Sequence, residues 1–171
     1  MDNTVKKILV QGSIASGKTT FAEKLHEKNK FPLVRVDEII WQPGWVHRDN
    51  KEISTLLLEK SGQEYWIIEG YINDEAIEEL VTTADLILYL DYSRFVPVWR
   101  YLKRYFLHHK IPRKELPGCP EHFKISSLLE ILRKKHVRKL EQLLKKSSFE
   151  EKVIRFKNLK QAEAYLEKYG K

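Results

Sequence analysis

Residues 12–19 read Gly-Ser-Ile-Ala-Ser-Gly-Lys-Thr, and this octapeptide constrains the fold more than any other part of the chain. It follows a short apolar run at residues 8–10, which predicts a buried strand. It precedes residues 19–28, whose apolar side chains recur at helical spacing. A glycine at each end permits a tight turn between the two elements. The sequence therefore predicts a strand, a loop and a helix in succession, as in an α/β domain.

The octapeptide also matches the pattern Gly-x-x-x-x-Gly-Lys-Ser/Thr. Backbone N–H groups in such a loop point at phosphate, and the helix N-terminus adds its positive dipole end. Lys18 would neutralise the β- and γ-phosphate oxygens, and the Thr19 hydroxyl would ligate Mg²⁺. We predict a nucleotide-binding loop for ATP and Mg²⁺, made by Gly12, Ser13, Ile14, Ala15, Ser16, Gly17, Lys18, Thr19 and Thr20.

Apolar runs alternate with helical patterns along the rest of the chain. Strands are predicted at 33–36, 65–68, 86–90 and 152–157, and helices at 51–60, from Asn73, from Ser93, as one long segment from Ser127, and from Asn158. Alternation of this kind predicts a parallel sheet with helices on both faces. Ligands bind such sheets at the carboxyl ends of the strands, so the loops after Gly12, Asp37, Glu69 and Asp91 should meet.

Length and composition limit the class of protein. The 171 residues, 42% hydrophobic, suit one domain over residues 1–171. We expect a cytoplasmic protein with no membrane partner, because the chain has neither a signal-peptide pattern nor an apolar stretch of about 20 residues. Cys119 is the only cysteine, which excludes an internal disulfide and a multi-cysteine zinc site.

Charge is segregated along the chain. Residues 1–91 carry 10 Lys/Arg against 16 Asp/Glu, whereas residues 92–147 carry 15 against 4. A basic second half suits a cleft that closes on polyphosphate, and DNA binding would also draw on it.

The chain is similar to the adenylate-kinase-like nucleotide kinases, and it more closely resembles the bacterial DNA topology modulation (FlaR-like) proteins. Five segments carry the resemblance: the octapeptide, residues 36–45 (VDEIIWQPGW), residues 66–70 (WIIEG), Leu90-Asp91 with Arg94, and residues 117–121 (PGCPE). The resemblance implies a nucleoside-monophosphate-kinase-like fold with a five-stranded parallel sheet and a mobile basic lid at about 100–124. One departure is residues 69–72, Glu-Gly-Tyr-Ile, where an Asp-Gly-Asn-Tyr-like stretch is expected.

Two carboxylates stand at predicted strand ends. Asp37 could orient an acceptor hydroxyl, act as its base or hold a Mg²⁺-bound water, and the alternative is a turn or capping residue. Glu69 could hold a metal-bound water or, with Gly70, position the acceptor, and the alternative is an ordinary solvated acid. Thr19 and Glu69 are therefore the predicted metal residues.

Aromatic and basic residues complete the candidate site. Trp41 and Trp45 could stack on a flat acceptor, or they could simply pack their loop onto the domain. Lys18, Arg100, Arg104 and Arg113 are predicted to stabilise a transferring phosphoryl group. We interpret residues 133–139 as a solvated basic face and His108-His109 as lid surface.

These patterns predict a Mg²⁺-dependent kinase that moves the γ-phosphate of ATP to a small acceptor, with a nucleoside or nucleotide favoured. No Asn-Lys-x-Asp segment of a GTPase is present. The alternative is a nucleotide-gated DNA-binding or regulatory protein, in which ATP sets the conformation of the basic half.

Overall fold

A computed structural model describes residues 5–72, 75–108, 111–112, 114–145 and 149–169. Seven strands lie within these residues: β1 Lys7–Gly12, β2 Leu33–Arg35, β3 Trp41–Gln42, β4 Val46–His47, β5 Trp66–Glu69, β6 Leu86–Leu90 and β7 Val153–Phe156. The described helices are α1 Lys18–Asn29, α2 Val36–Ile40, α3 Asn50–Ser61, α4 Ile77–Thr83, α5 Phe95–His108, α6 Ile125–Arg133, α7 Lys135–Leu144 and α8 Leu159–Lys168, and one 3₁₀ turn spans Glu150–Lys152.

Five strands form one parallel sheet in the order β2-β5-β1-β6-β7. The strand β1 is central, with Leu9 paired to Ile68 on one side and to Ile87 on the other. All five strands therefore end at the same edge, and the loop after β1 lies at the middle of that edge. The five-stranded parallel sheet is confirmed.

Side chains of the sheet alternate between two cores. On β1, Leu9 packs into the core shared with α3, α4 and α7, whereas Ile8 and Val10 pack into the core shared with α1 and α8. Successive residues of a strand point to opposite faces, so fully apolar strands are buried only when both faces are covered. Helices on both faces are thus confirmed.

The segment after β2 differs from the prediction. The strand ends at Arg35, and Val36–Ile40 forms a short helix with Asp37 and Glu38 in its first turn. Acidic side chains are favoured there because they face the positive end of the helix dipole. Asp37 therefore lies within a helical turn and not at the end of a strand.

The predicted long helix from Ser127 is wrong. The structure has two helices, α6 and α7, separated by Lys134 in a left-handed conformation (φ 50°). The first of these helices begins at Ile125, two residues before Ser127, and no side chain among the described residues caps it. At the other end of the chain, the Asn158 side chain accepts a hydrogen bond from the Gln161 N–H and caps α8 as predicted.

Among the described residues, every helix is too short or too polar to span a bilayer. A single domain over residues 1–171 with a mobile basic lid stays a prediction.

Candidate active site

The loop between β1 and α1 is a tight turn with left-handed residues. Ala15 and Gly17 have φ of 57° and 95°. A side chain at position 12 would place its Cβ 2.8 Å from the Ser16 Oγ and 2.9 Å from the Leu90 carbonyl oxygen, so only glycine fits there. Gly17 then leads into α1, whose first turn has no side-chain cap. Its N–H groups are the donors that commonly bind phosphate at a helix N-terminus.

Lys18 and Thr19 begin α1 and face two different partners. The Lys18 ammonium donates a hydrogen bond to the Ser13 carbonyl (2.9 Å). The Thr19 hydroxyl donates to Glu69 Oε1 (3.0 Å), across from the end of β5. The predicted metal residues Thr19 and Glu69 are therefore adjacent, with two oxygen donors of the kind that Mg²⁺ prefers.

Glu69 is buried, with 3% of its surface exposed. Burial raises the pKa of Glu69 to about 7; the Lys18 charge opposes this shift and the Asp37 charge adds to it. The next residue, Gly70, accepts a buried hydrogen bond from the Gln11 side chain (2.9 Å). Glu69 is thus a carboxyl group that changes its protonation near neutral pH.

Two arginines of α5 reach the loop region. The Arg100 guanidinium donates a hydrogen bond to the Ser16 carbonyl (2.6 Å). One turn later, Arg104 Nε lies 3.5 Å from Oε2 of the buried Glu121. The two arginines are one helical turn apart and therefore share a face of α5, and both line the same cavity. The third predicted arginine, Arg113, lies outside the described residues.

A cavity of about 310 Å³ occupies the space above the loop. We call it the phosphate cradle. Its lining residues are Ile14, Ala15, Gly17, Lys18, Thr19, Thr20, Asp37, Glu69, Gly70, Tyr71, Arg100, Arg104 and Glu115. The loops after β1, β2 and β5 therefore meet, as the sheet topology predicts.

Asp91 does not line this cavity. Its carboxylate accepts hydrogen bonds from Lys134 (2.6 Å) and Lys157. Burial alone would raise the pKa of Asp91, but these two bonds hold it below the usual value. Lys134 belongs to residues 133–139, which were predicted to form a solvated basic face. Its side chain instead forms an ion pair with Asp91. The predicted role of His108-His109 falls on side chains that the structure does not describe.

A hairpin next to the cradle presents the two predicted tryptophans. Strands β3 and β4 pair antiparallel around a turn in which Gly44 and Trp45 have positive φ (80° and 60°). The rings of Trp41 and Trp45 meet edge to face, with centroids 5.3 Å apart. Trp41 also contacts His47 in the same way, at 5.2 Å.

The hairpin is fixed to residues 116–121. The Gly44 N–H donates to the Gly118 carbonyl, and the Trp45 indole N–H donates to the Pro120 carbonyl, both at 2.8 Å. The buried Cys119 thiol donates to the Gln42 carbonyl (3.2 Å). These bonds join two segments that lie more than 70 residues apart in the chain.

A second cavity of about 320 Å³ lies between the hairpin, α5 and α6. We call it the aromatic pocket. It is lined by Ile14, Asp37, Ile40, Trp41, Trp45, His47, Tyr71, Tyr101, Arg104, Glu121, His122, Lys124, Ser127 and Glu130. Asp37, Trp41 and Trp45 therefore share one pocket, whereas Glu69 and Gly70, also predicted to bind the acceptor, line the cradle.

Several lining residues were missed from the sequence. Tyr71, Tyr101, Glu121, His122 and Lys124 come from three separate segments. Residues 117–121 carried part of the family resemblance, which was the one signal near Glu121. The others have no periodicity or motif that would have distinguished them from surface residues.

Solved structures of kinases are similar to this chain over nearly its whole length. The gluconokinase from Sinorhizobium meliloti 1021 is 18% identical with a TM-score of 0.59, and the alignment covers 96% of this chain and 93% of that one. The shikimate kinase from Acinetobacter baumannii in complex with shikimate is 17% identical with a TM-score of 0.60, covering 96% and 90%. The shikimate kinase from Bacteroides thetaiotaomicron is 17% identical with a TM-score of 0.53, covering 96% of each chain.

No protein-family model matches the chain, and no curated protein matches it. At these identities the structural likeness concerns the fold alone. The chain thus has the α/β fold of P-loop kinases, with a glycine-rich loop at the centre of a five-stranded parallel sheet.

Proposed function

We propose that the protein is a Mg²⁺-dependent kinase that transfers the γ-phosphoryl group of ATP to a hydroxyl of a small acceptor. One observation carries the proposal: the phosphate cradle and the aromatic pocket share Asp37 and Arg104 in their walls. A triphosphate in the first cavity and an acceptor in the second would meet at a carboxylate and a guanidinium. The kinases with the same fold support this assignment.

The proposed transfer is a direct displacement at phosphorus. The acceptor oxygen forms a bond to the γ-phosphorus while the bond to the β–γ bridging oxygen breaks, and ADP leaves with that electron pair. The hydroxyl proton passes to the Asp37 carboxylate. Lys18, Arg100 and Arg104 offset the negative charge that spreads over the transferring group. Arg113 stays a predicted member of this set.

Thr19 and Glu69 are the residues that would hold Mg²⁺, because their oxygens lie 3.0 Å apart at the floor of the cradle. Mg²⁺ keeps phosphate oxygens and water as its other ligands, so a small set of protein donors suits it. When bound, the ion supplies charge neutralisation for the phosphates. The nucleoside or nucleotide acceptor and the cytoplasmic location stay predictions.

The test is acceptor-dependent ADP formation by purified protein with ATP and Mg²⁺. A panel of nucleosides, nucleoside monophosphates and small hydroxylated compounds is compared with an acceptor-free blank. Lys18→Ala should lower turnover at least 100-fold, since the ammonium acts on the transferring phosphoryl group. Lys28→Ala is the matched control, because Lys28 is exposed on the same helix. Equal activity of the two variants would contradict the proposal.

The second candidate is the nucleotide-gated DNA-binding protein, including the finer resemblance to DNA topology modulation proteins. The charge of residues 92–147 supports it. Some of that charge is used internally, however, since Arg100 contacts the loop and Lys134 pairs with Asp91. Fluorescence anisotropy with duplex DNA across a salt series tests this candidate, and loss of all binding at physiological salt would exclude it.

A further inference from the structure

The two tryptophans of the aromatic pocket form a corner that already holds a cation. Their ring planes meet at 76°. The Lys124 ammonium lies 5.0 Å from the Trp45 centroid and 5.9 Å from the Trp41 centroid. An ammonium within about 6 Å of an indole face is attracted by the ring quadrupole. The Lys124 ammonium therefore already occupies a cation position in this corner.

The shape of the corner favours a compact cation over a flat ring. A nucleobase can stack on only one of two planes that stand nearly perpendicular, whereas a tetrahedral ammonium contacts both. Tyr71 and Tyr101 line the same pocket and add further aromatic surface. The pocket thus resembles an aromatic cage more than a slot for a planar group.

The charges of the lining agree with this shape. Three carboxylates, Asp37, Glu121 and Glu130, line the pocket, and the charge of Glu121 is offset by Arg104 at 3.5 Å. The remaining cation is Lys124, and His47 and His122 complete the titratable groups. With three carboxylates against two cations among its described lining residues, the pocket attracts an amine more than a phosphorylated acceptor.

Lys124 can leave the corner without disturbing the backbone. Its N–H donates to Tyr101 Oη (2.9 Å), and the Tyr101 hydroxyl approaches the Lys124 carbonyl (3.2 Å). These contacts anchor the main chain, whereas the residue as a whole is exposed. Another ammonium group can therefore take the position of Nζ when the side chain turns into solvent.

We infer that the acceptor is a hydroxyl compound that also carries a protonated or quaternary amine, and that its ammonium replaces that of Lys124 between Trp41 and Trp45. The inference rests on the proposed phosphotransfer. The amine stays charged and does not react. The hydroxyl oxygen forms the new bond to phosphorus, its proton passes to Asp37, and ADP leaves with the electrons of the broken bond.

Binding is measured first, by calorimetry, with two matched pairs: choline against 3,3-dimethylbutan-1-ol, and glucosamine against glucose. At least one charged member should bind about tenfold more tightly than its neutral isostere. Trp45→Leu should remove the preference, and Trp99→Leu, an exposed tryptophan of α5, should leave it unchanged. Lys124→Met should raise the affinity for the charged member several-fold, because the internal competitor is gone. Equal binding within both pairs would overturn the inference.

Turnover separates this inference from the proposed function. If the charged member of a pair binds more tightly but no acceptor supports ADP formation, the cation site is supported and the proposed kinase function is contradicted. If ADP forms only with neutral or phosphorylated acceptors, the proposed kinase function is supported and the inference of an amine-bearing acceptor is overturned.

Discussion

The phosphate cradle and the aromatic pocket share a wall but are built in different ways. Six of the thirteen described residues that line the cradle come from one continuous segment, residues 14–20, which comprises the glycine-rich loop and the start of α1. The aromatic pocket is formed by side chains from the hairpin, α5, α6 and residues 121–124. The proposed triphosphate would thus contact mainly one local segment, whereas the proposed acceptor would contact side chains that only tertiary packing brings together.

Because the two cavities are built differently, substitutions in them should have different consequences. A change in the glycine loop would alter backbone angles and, with them, every proposed phosphate contact at once. A change in one lining side chain of the aromatic pocket alters one contact and leaves the cradle intact. Substitutions in the two regions should therefore separate ATP affinity from acceptor affinity, and Asp37→Asn and Trp45→Phe test that separation. Glu69→Gln and Gly70→Ala test the burial and packing of the cradle wall.

Asp37→Asn should have the largest effect, because Asp37 belongs to both cavities. We expect kcat to fall about 1000-fold while the KM for ATP changes less than about twofold, since the carboxylate acts on the acceptor proton. Steady-state kinetics measures both. Glu38→Gln, the exposed neighbour in α2, is the control. Equal losses in kcat and in ATP affinity would mean that Asp37 is structural.

Glu69→Gln should remove a pH-dependent part of the free energy of unfolding that amounts to about 3 kcal/mol. The folded-state pKa of about 7 lies above the ordinary 4.5, so the folded protein binds more protons between these values. The contribution of protonated Glu69 to the free energy of unfolding is therefore fully present below pH 4.5 and is lost as the pH rises through about 7. The variant should lack this slope.

Urea unfolding at several pH values measures the difference between the two curves. Glu59→Gln, an exposed glutamate of α3, should follow the wild-type curve. Parallel curves for the wild type and Glu69→Gln would refute a buried carboxyl that titrates near neutral pH.

Gly70→Ala should destabilise the fold by about 2 kcal/mol more than Gly44→Ala. Both glycines have positive φ, 125° and 80°, and the value at Gly70 lies further from the left-handed region that L-residues adopt. A Cβ at position 70 would lie 2.9 Å from the Val36 Cβ, whereas one at position 44 would meet no described atom within 4 Å. The extra loss of stability is the expected size for overpacking together with the larger backbone strain. Thermal or urea unfolding of both variants gives the comparison, and equal losses would contradict it.

Trp45→Phe should have the smallest effect. Phenylalanine keeps an aromatic ring at this position, but the Pro120 carbonyl loses its indole donor, a hydrogen bond worth about 1 kcal/mol. We expect the acceptor KM to rise about fivefold with the ATP KM unchanged. Trp99→Phe serves as the control on an exposed tryptophan. A rise in the ATP KM would show that the hairpin also supports the cradle.

Much of the sheet was predictable because each central strand is an unbroken apolar run followed by a polar or glycine residue. The helices α1 and α3 followed from the spacing of Leu25 and Leu57 with their apolar neighbours. Prediction failed at Val36–Ile40, where a five-residue helix is too short to show a period. It failed again at Lys134, where a left-handed residue breaks a continuous apolar pattern that local sequence alone would extend.

The glycine-rich loop and the parallel sheet that supports it follow from local sequence, because backbone angles and apolar periodicity are properties of neighbouring residues. The contacts of Glu69 with Thr19, of Arg104 with Glu121 and of Lys124 with two tryptophans arise only when the chain folds. Such contacts join residues tens of positions apart, and their energies depend on burial and orientation that no local pattern encodes.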